Sequence, residues 1–326
     1  MEIKRSIEFT KQLGIQVPII CGPMYPCSNP ELVAAASNAG AIGIVQPVSL
    51  TYVFGYDFRE GIRYIKQLTS QPIGMNALIE QSSHRYHQRM VEWLEIALEE
   101  GVRFFITSLG KPNWVVDLVH AHGGLVFHDV TERKWAEKGV ESGVDGLICV
   151  NNRAGGHSGT RSAQALFDEL SNLQLPLICA GGIATPAEYK QAQKIGYAGV
   201  QMGTRFIASS ECQVSAAYKQ AIVEADEHDI VLSERVTGVP VALINTSQLQ
   251  QRGLSSGRFA QWLLKGKKTK HWMRILYALR SLWQLKIASL DTRGKAQYWQ
   301  AGKSVSGIHS VKTVAEIIKQ FNQQPE

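Results

Sequence analysis

The sequence lacks the features of several large classes of protein. It has no run of about 18 apolar residues, which argues against a transmembrane protein. The N-terminus, MEIKRSIEFTKQLG, is basic but has no long apolar core, so we expect no secretory signal. The nucleotide-binding motifs G-x-G-x-x-G and G-x-x-x-x-G-K-S/T are both absent. With 44% hydrophobic and 19% charged residues, the chain is also unlike collagen, disulfide-rich scaffolds or disordered proteins.

Cysteine is scarce, and no pair has the spacing of a zinc site. Three of the five cysteines lie inside apolar runs, as small buried thiols do in a reducing compartment. His120 and His122 are two residues apart, so on a helix they point to different sides, and the acidic residues 226–229 are expected to form a solvated turn. We therefore expect a cytoplasmic enzyme without a metal site. The cysteines are Cys21, Cys27, Cys149, Cys179 and Cys212.

Positive charge is concentrated in one segment. The net charge is +6, but residues 252–295 carry eleven Lys or Arg and one acid, Asp291, so this segment alone has +10 and the rest of the chain −4. Lysines and arginines alternate there with Trp and Leu, which is typical of a surface that binds an anionic membrane or nucleic acid. We favour a cap whose apolar face packs on the protein and whose cations attract an anionic substrate. No nucleic-acid partner and no stable membrane insertion are expected. The cluster includes Lys265, Lys267, Lys268 and Lys270.

Short apolar runs dominate the first two thirds of the sequence. The length of 326 residues allows two domains, or one α/β barrel of about 250 residues with an appendage. The eight runs lack strict alternation, as expected of parallel strands buried on both faces. With helical segments between them they predict an α/β fold, a (β/α)8 TIM barrel, over an open doubly wound sheet. The runs are residues 17–22, 41–45, 72–79, 103–108, 124–130, 145–150, 175–182 and 198–203.

Helix-starting signals separate these runs. Asn29 followed by Pro30 predicts an N-cap with proline in the first turn, and Thr185 with Glu188 predicts a capping box. Another helix is predicted to end at Gly101. Its apolar face is expected to contain Met90, Leu94, Ala97 and Leu98.

The domain boundaries follow from where this pattern stops. Residues 1–209 are predicted to form the barrel, and residues 210–303 a mainly helical, basic cap subdomain. Residues 304–326 are predicted to form a helix that packs back on the barrel, with Ser310 as its N-cap. One face of this helix is expected to contain Val311, Val314, Ala315 and Ile318.

Two glycine-containing turns follow the seventh and eighth predicted strands. Gly181 and Gly182 follow the seventh, and Gly203 and Thr204 follow the eighth, 22 residues further on. In this fold the loops after strands seven and eight commonly bind a phosphate, because glycines let backbone N–H groups approach its oxygens. The alternative is that these glycines only form tight turns. We favour the phosphate site.

A third glycine-rich loop follows the sixth predicted strand. It contains Gly155, Gly156 and Gly159 around His157. Glycines permit close approach to a planar ligand, and histidine is suited to proton transfer near pH 7. A lone histidine is more often structural than catalytic, but the neighbouring phosphate site favours a functional role for His157.

Five short segments occur together in one enzyme family. They are PIICGPM (18–24), NRAGGHSG (152–159), AGGIAT (180–185), GVQMGTRF (199–206) and YWQAGKSVSGI (298–308). In this order, over nearly the whole chain, they closely resemble the nitronate monooxygenase family, formerly called 2-nitropropane dioxygenases. The flavin-dependent enoyl-acyl-carrier-protein reductases share the fold and much of the pattern.

The resemblance implies an FMN-dependent barrel. By position, Gly22, Pro23 and Met24 would lie against the isoalloxazine, and Asn76 would hydrogen-bond the flavin ring. His128 would approach the cofactor, near a position where relatives often carry Lys. The resemblance also implies that His157 is the catalytic histidine. The remaining cofactor contacts would be Gly155 and Gly156 beside the ring, and Gly181, Gly182, Gly203 and Thr204 at the 5′-phosphate.

The implied reaction is the oxidation of alkyl nitronates by O2 to carbonyl compounds and nitrite. An NAD(P)H-dependent flavin reductase acting on an enoyl thioester or quinone stays open as an alternative. So does a basic, surface-binding flavoprotein with little catalysis. The expected partners are a small-molecule substrate and O2, and the oligomeric state, including a homodimer, stays open.

Overall fold

Eight parallel strands form a closed barrel. The computed structural model describes residues 2–80, 84–234, 236, 238–254, 269–291 and 298–322, with residues 2–4, 252 and 269–279 described by their backbone alone. The strands are β1 (Ile19–Cys21), β2 (Ile42–Val45), β3 (Ile73–Leu78), β4 (Phe104–Ser108), β5 (Leu125–Val130), β6 (Gly146–Val150), β7 (Leu177–Ala180) and β8 (Gly199–Met202). Each pairs with its neighbour in chain order, and β1 closes the barrel by pairing with β8. The predicted TIM barrel is confirmed, and each strand lies within its predicted apolar run.

Helices surround this barrel and extend beyond it. Shorter turns of other helical types lie at Ser49–Val53, Ser171–Leu173, Glu227–Asp229 and Lys303–Gly307. The α-helices are α1 (Glu2–Leu13), α2 (Pro30–Asn38), α3 (Phe58–Leu68), α4 (His84–Glu99), α5 (Asn113–His120), α6 (Arg133–Glu141), α7 (Ala163–Leu170), α8 (Pro186–Ile195), α9 (Thr204–Ile207), α10 (Ala216–Glu224), α11 (Ser247–Arg252), α12 (Thr269–Leu290) and α13 (Val314–Asn322). No described helix is both long and apolar enough to cross a membrane.

The barrel interior is an apolar core that is closed at one end. Alternate strand residues point inward and form a buried cluster with α1. The ring of Phe9 on α1 lies 5.7 Å from that of Phe127, and a Cβ on Gly199, the first residue of β8, would lie 3.0 Å from the Phe9 ring. Because α1 covers the end where the strands begin, ligands have access from the carboxyl end. The inward cluster contains Ile20, Ile42, Ile44, Phe104, Ile106, Phe127, Ile148, Ile178 and Ala180.

The predicted helix signals are mostly confirmed. Thr185 and Glu188 form the capping box of α8. Pro30 begins α2, but Asn29 makes no side-chain cap bond, because its Oδ1 accepts a hydrogen bond from the Gln213 N–H at 3.1 Å instead. On α4 all four predicted face residues are buried, and α4 ends just before Gly101.

The last helix begins later than predicted. Thr313 caps it instead of Ser310: the Thr313 hydroxyl accepts a hydrogen bond from the Glu316 N–H at 3.2 Å, and Glu316 accepts one from the Thr313 N–H at 2.7 Å. Starting the helix three residues later turns Val311 and Ala315 to the exposed side. The buried face therefore consists of Val314, Ile317, Ile318 and Phe321.

The region after the barrel contains strands that were not predicted. β9 (Ile230–Ser233) and β10 (Val241–Ile244) form an antiparallel pair beside helices α10 and α11. Their short apolar runs lie between polar stretches that we interpreted as helical. Residues 255–268 and 292–295 of the basic segment lie outside the described residues, including Lys265, Lys267 and Lys268, and Lys270 is described by its backbone alone.

Candidate active site

The turns after β7 and β8 lie side by side at the carboxyl end of the barrel. Ala180 pairs with Gln201 in the register of these strands, so Gly181 and Gly182 adjoin Gly203. Within the described part of the chain, the backbone N–H groups of Gly181, Gly182, Gly203 and Thr204 have no hydrogen-bond acceptor. Adjacent unpaired N–H groups form a binding site for an anion such as phosphate.

The β7 turn requires glycine for reasons of its own. Gly181 and Gly182 have φ values of 111° and 78°, where L side chains are strained. A Cβ on Gly181 would lie 2.5 Å from the Ala154 backbone nitrogen, and one on Gly182 would lie 2.7 Å from Nε of Arg153. Asn151, directly after β6, joins its loop to the β7 turn, because its amide donates to the Gly181 carbonyl oxygen at 2.9 Å. The loop after β6 therefore packs directly on the predicted phosphate turn.

The β8 turn contacts two other predicted segments. A Cβ on Gly203 would lie 3.4 Å from Sδ of Met24, so Met24, which follows β1 and Pro23, adjoins this turn. The Thr204 hydroxyl accepts a hydrogen bond from the Gly302 N–H at 2.9 Å. The structure thus brings the N-terminal and C-terminal family segments together at one end of the barrel.

The loop that carries His157 is held by backbone contacts. A Cβ on Gly155 would lie 2.9 Å from the Gly302 nitrogen, and the Gly156 carbonyl accepts a hydrogen bond from the Ala242 N–H at 2.8 Å. Gly155 fits against the Ala301–Gly302 backbone and could not be enlarged without a shift. The anchored loop gives His157 a defined position.

Part of the His157 side chain is exposed to solvent, and protein surrounds the rest of it. This environment lowers the pKa of His157 from its usual 6.5, because burial disfavours the charged imidazolium. The imidazole makes no hydrogen bond to the described residues. A neutral imidazole at pH 7 with free ring nitrogens is able to accept a proton from a ligand.

Asn76 on β3 and His128 on β5 were both predicted to contact the cofactor, but only Asn76 faces the barrel interior. Asn76 points into the barrel, pairs in register with Ile106, and donates a hydrogen bond from Nδ2 to the Ile106 carbonyl oxygen at 3.1 Å. His128 faces outward: a Cβ on Gly139 of α6 would lie 3.3 Å from its ring. Its Nδ1 lies 2.9 Å from the Thr107 hydroxyl, and burial lowers the pKa of His128 to about 4. His128 is thus a packing residue behind β5 and does not face the barrel opening.

Two inward-facing polar residues were missed in the sequence. Gln201 of β8 lies over Gly22, where a Cβ would be 2.8 Å from the Gln201 Cγ. Its Oε1 is buried and has no hydrogen-bond partner among the described residues. Asp129, next to His128, faces inward and has the same property at Oδ1. The sequence shows each of them as a polar residue in a largely apolar run, which is a signal for a functional position, but it does not show which residues face inward.

Charge near the phosphate turn comes from Arg153. Its guanidinium forms an ion pair with Glu227 at 2.6 Å, so the acidic cluster at 226–229 is partly anchored rather than a fully solvated turn. Among the described residues no group of three or more His, Cys, Asp or Glu is placed to bind a metal ion.

These residues fit a flavin mononucleotide. The unpaired N–H groups of the two turns suit one phosphate, and the buried Oε1 of Gln201 requires a donor such as the N–H of an isoalloxazine ring. Gly22 and Met24 adjoin Gln201 and Gly203, so the predicted ring contacts lie beside the predicted phosphate contacts.

Comparison with known proteins gives consistent matches over nearly the whole chain. Residues 7–324 match the family model described as nitronate monooxygenase. A probable nitronate monooxygenase of Staphylococcus saprophyticus is 28% identical, covering 98% of this chain and 99% of the relative. A (3aS,4S,5R,7aS)-5-hydroxy-7a-methyl-1-oxo-octahydro-1H-indene-4-carboxyl-CoA dehydrogenase of Rhodococcus jostii is 25% identical, covering 95% of this chain and 92% of the relative.

A solved structure agrees with the sequence matches. FabK from Thermotoga maritima superposes with a TM-score of 0.77 at 26% identity, covering 96% of this chain and 94% of that one. Family and fold therefore agree.

Proposed function

This chain belongs to the nitronate monooxygenase family, and on that premise we propose that it uses FMN to oxidise alkyl nitronates with O2 to carbonyl compounds and nitrite. It is a flavin-dependent oxidoreductase that acts on a small molecule. The observation that carries the proposal is the pair of turns with unpaired N–H groups beside His157. Bound FMN would supply the redox chemistry, taking electrons from the nitronate and passing them to O2.

The backbone of the two turns would hold the phosphate. Gly181 and Gly182 offer N–H groups from one turn, and Gly203 and Thr204 from the other. Arg153 over Gly182 adds positive charge, although its ion pair with Glu227 neutralises part of it. One phosphate fits these four donors, which favours FMN over a dinucleotide.

His157 would handle the proton of the substrate. Its lowered pKa keeps the ring neutral at pH 7, so it would accept the α-proton of a neutral nitroalkane. Gly155 and Gly156 would leave room for a flat ligand beside it, and Asn76 and Gln201 would orient that ligand from the barrel interior. Because the loop is pinned to Gly302 and Ala242, little freedom would be lost on binding.

The cysteines support a cytoplasmic location. All five are free and buried in the structure. Free thiols are typical of a reducing compartment.

Purification tests the cofactor, and product analysis tests the reaction. The protein should purify yellow and release FMN on denaturation. With ethylnitronate it should consume O2 and form acetaldehyde and nitrite in equal amounts. FAD in the released fraction, or a colourless protein that FMN does not reconstitute, would contradict the cofactor. O2 consumption without nitrite would contradict the reaction.

A second candidate function is oxidoreduction of a coenzyme A thioester. It is favoured by the +10 charge of residues 252–295, which would attract the phosphates of such a substrate. The similarity to a carboxyl-CoA dehydrogenase also favours it. An acyl-CoA or an enoyl-CoA with NAD(P)H that turns over faster than any nitronate would select this candidate.

A further inference from the structure

One ionisable side chain points into the barrel from its strands. Inward positions on β5 alternate as Leu125, Phe127 and Asp129, and Asp129 pairs in register with the inward-facing Ile148. Phe127 contacts Phe9 at the closed end, so Asp129, two residues further on, lies toward the open end. Among the inward residues of β1–β8, all of which the structure describes, Asp129 alone carries an acid or a base.

The Asp129 carboxyl makes no hydrogen bond or ion pair with any residue that the structure describes. Its Oδ1 has no contact with solvent and no hydrogen bond to any described residue, and no ion pair includes it within the described chain. Burial raises the pKa of Asp129 to about 7. A buried polar group without a partner is unfavourable, and more so when it is charged, so an unpaired carboxyl beside a ligand site points to a contact with the ligand.

The ionisable groups near Asp129 do not supply the missing contact. His128 beside it on β5 and Cys149 on β6 both face the outer layer, and burial lowers the pKa of His128 and raises that of Cys149. Both are therefore uncharged at pH 7. On β4 the inward residues Phe104, Ile106 and Ser108 do not titrate, and His157 on the loop after β6 has a lowered pKa. The two arginines of that loop, Arg153 and Arg161, form ion pairs with Glu227 and Glu169. Burial alone shifts the pKa of Asp129, so no described cation holds it in its charged form.

The chemistry of the proposed cofactor suggests which contact is missing. An isoalloxazine ring presents one N–H and several acceptors, the two carbonyl oxygens and the bare ring nitrogens. Gln201 already offers an unpaired acceptor for the N–H. The ring acceptors need donors, and a protonated carboxyl is a donor.

We infer that Asp129 binds the flavin as a neutral acid, donating its O–H to an acceptor of the isoalloxazine ring, so that FMN binding takes up one proton. This inference rests on the proposed use of FMN. The charged carboxylate would face the same acceptors and repel them, so raising the pH weakens FMN binding. Above neutrality the dissociation constant for FMN should rise about tenfold per pH unit.

Titration of the flavin-free protein with FMN tests this inference. The phosphate of FMN ionises near pH 6, below the range used, so it does not contribute. Between pH 8 and pH 9 we expect about a tenfold loss of affinity in the wild type, measured by quenching of flavin fluorescence. Asp129→Asn, a permanent donor, should show no such loss. Asp117→Asn, which removes an exposed carboxyl on α5, should behave as the wild type.

Calorimetry gives a second test that needs no variant. In buffers of different ionisation enthalpy at pH 8, binding of FMN to the wild type should take up nearly one proton. Binding without proton uptake, or an Asp129→Asn variant with the pH dependence of the wild type, would overturn this inference and leave the proposed function intact. Failure of the protein to bind FMN at any pH would contradict both this inference and the proposed use of FMN.

Discussion

His128 lies on β5 and His157 on the loop after β6, the next strand, but their environments differ. His157 is on an anchored loop at the open end, and its ring makes no hydrogen bond to any residue that the structure describes. His128 is buried behind β5 and bonded to Thr107. Both have lowered pKa values, because burial disfavours the charged form. A low pKa marks a catalytic base only where the ring also faces the ligand.

Replacing His157 should remove proton transfer and leave the fold intact. His157→Ala changes an exposed side chain, so the free energy of unfolding should change by less than about 0.5 kcal/mol. Turnover of a neutral nitroalkane should fall roughly 100- to 10,000-fold, and turnover of the preformed nitronate should fall much less, because only the neutral form must lose a proton. Steady-state rates for both substrate forms, with flavin content measured alongside, check this.

The pH dependence of the nitroalkane rate and a control variant give further tests of the role of His157. In the wild type the rate with the nitroalkane should fall only below pH 6.5, since the pKa of His157 lies below that value. His228→Ala, at a side chain that is 90% exposed, should leave both rates unchanged. Equal rates in wild type and His157→Ala would remove His157 from the mechanism.

His128 should make the protein sensitive to acid. Its pKa is about 4 in the folded protein and about 6.5 in the unfolded chain, so the unfolded chain binds the proton first as the pH falls. The free energy of unfolding should therefore drop by about 2 kcal/mol between pH 7.5 and pH 5 through this residue alone. Asp129, whose raised pKa is about 7, acts in the opposite direction over this range and does so in both proteins. The test is therefore a difference: by urea unfolding, the change from pH 7.5 to pH 5 should be about 2 kcal/mol less favourable in the wild type than in His128→Asn. An equal change in both proteins would contradict the assignment.

Side-chain direction explains why the sequence analysis selected His128 and missed Asp129. The two residues are adjacent at the end of a strand that was located correctly. Which of them faces inward depends on the register of β5 against β4 and β6, and a one-residue change reverses it. The apolar residues of a strand buried on both faces do not fix that register in the sequence.

At the scale of elements, a helix-start signal located its helix correctly where both residues of the capping box were recognised in the sequence. The Thr185 capping box located α8 because both of its partners are close in sequence. Thr313 and Glu316 form the same pattern, but Ser310 was selected as the cap, because Val311 gave an apparent apolar face. The hairpin of β9 and β10 depends on contacts with distant segments, such as the Ala242 N–H bonded to Gly156, which no local pattern shows.

The start of α13 can be tested by a matched pair of variants. Thr313→Ala removes the hydroxyl that accepts from the Glu316 N–H, so the free energy of unfolding should fall by about 1 kcal/mol. Ser310→Ala, three residues earlier and equally exposed, should change it by less than about 0.5 kcal/mol. The midpoint of urea unfolding of each variant decides between the two starts. A larger loss for Ser310→Ala would contradict the structure.

At the scale of the molecule, the barrel was predictable and the environment of the basic segment was not. Eight apolar runs with helical segments between them admit few folds. In the described part of this segment, α12 contacts the loops after β1 and β2: the Tyr25 hydroxyl donates to the Leu282 carbonyl oxygen at 2.6 Å, and Lys286 Nζ donates to that of Tyr52 at 2.7 Å. These partners are distant in sequence, so no local pattern predicts them. The charge of that segment still predicts a long-range effect.

The basic segment should attract anionic substrates. Changing Lys265, Lys267, Lys268 and Lys270 to Gln should raise KM for a nitronate at low salt, with the difference fading at high salt as screening shortens the field. Folding should be nearly unchanged. Liposome binding by the wild type that this variant loses would support a membrane role instead. A control removes the same charge from the barrel helices, at Lys134, Lys138, Lys190 and Lys194, and should shift KM less.

Anaerobic mixing tests the central claim most directly. The purified yellow protein is mixed without O2 with ethylnitronate, NADH or NADPH, and the flavin absorbance near 450 nm, roughly the usual band of oxidised flavin, is followed over time. We predict that the nitronate bleaches the flavin fastest and that readmitted O2 restores the colour with release of nitrite. Rapid bleaching by NADH or NADPH, with no change on adding nitronate, would contradict the account.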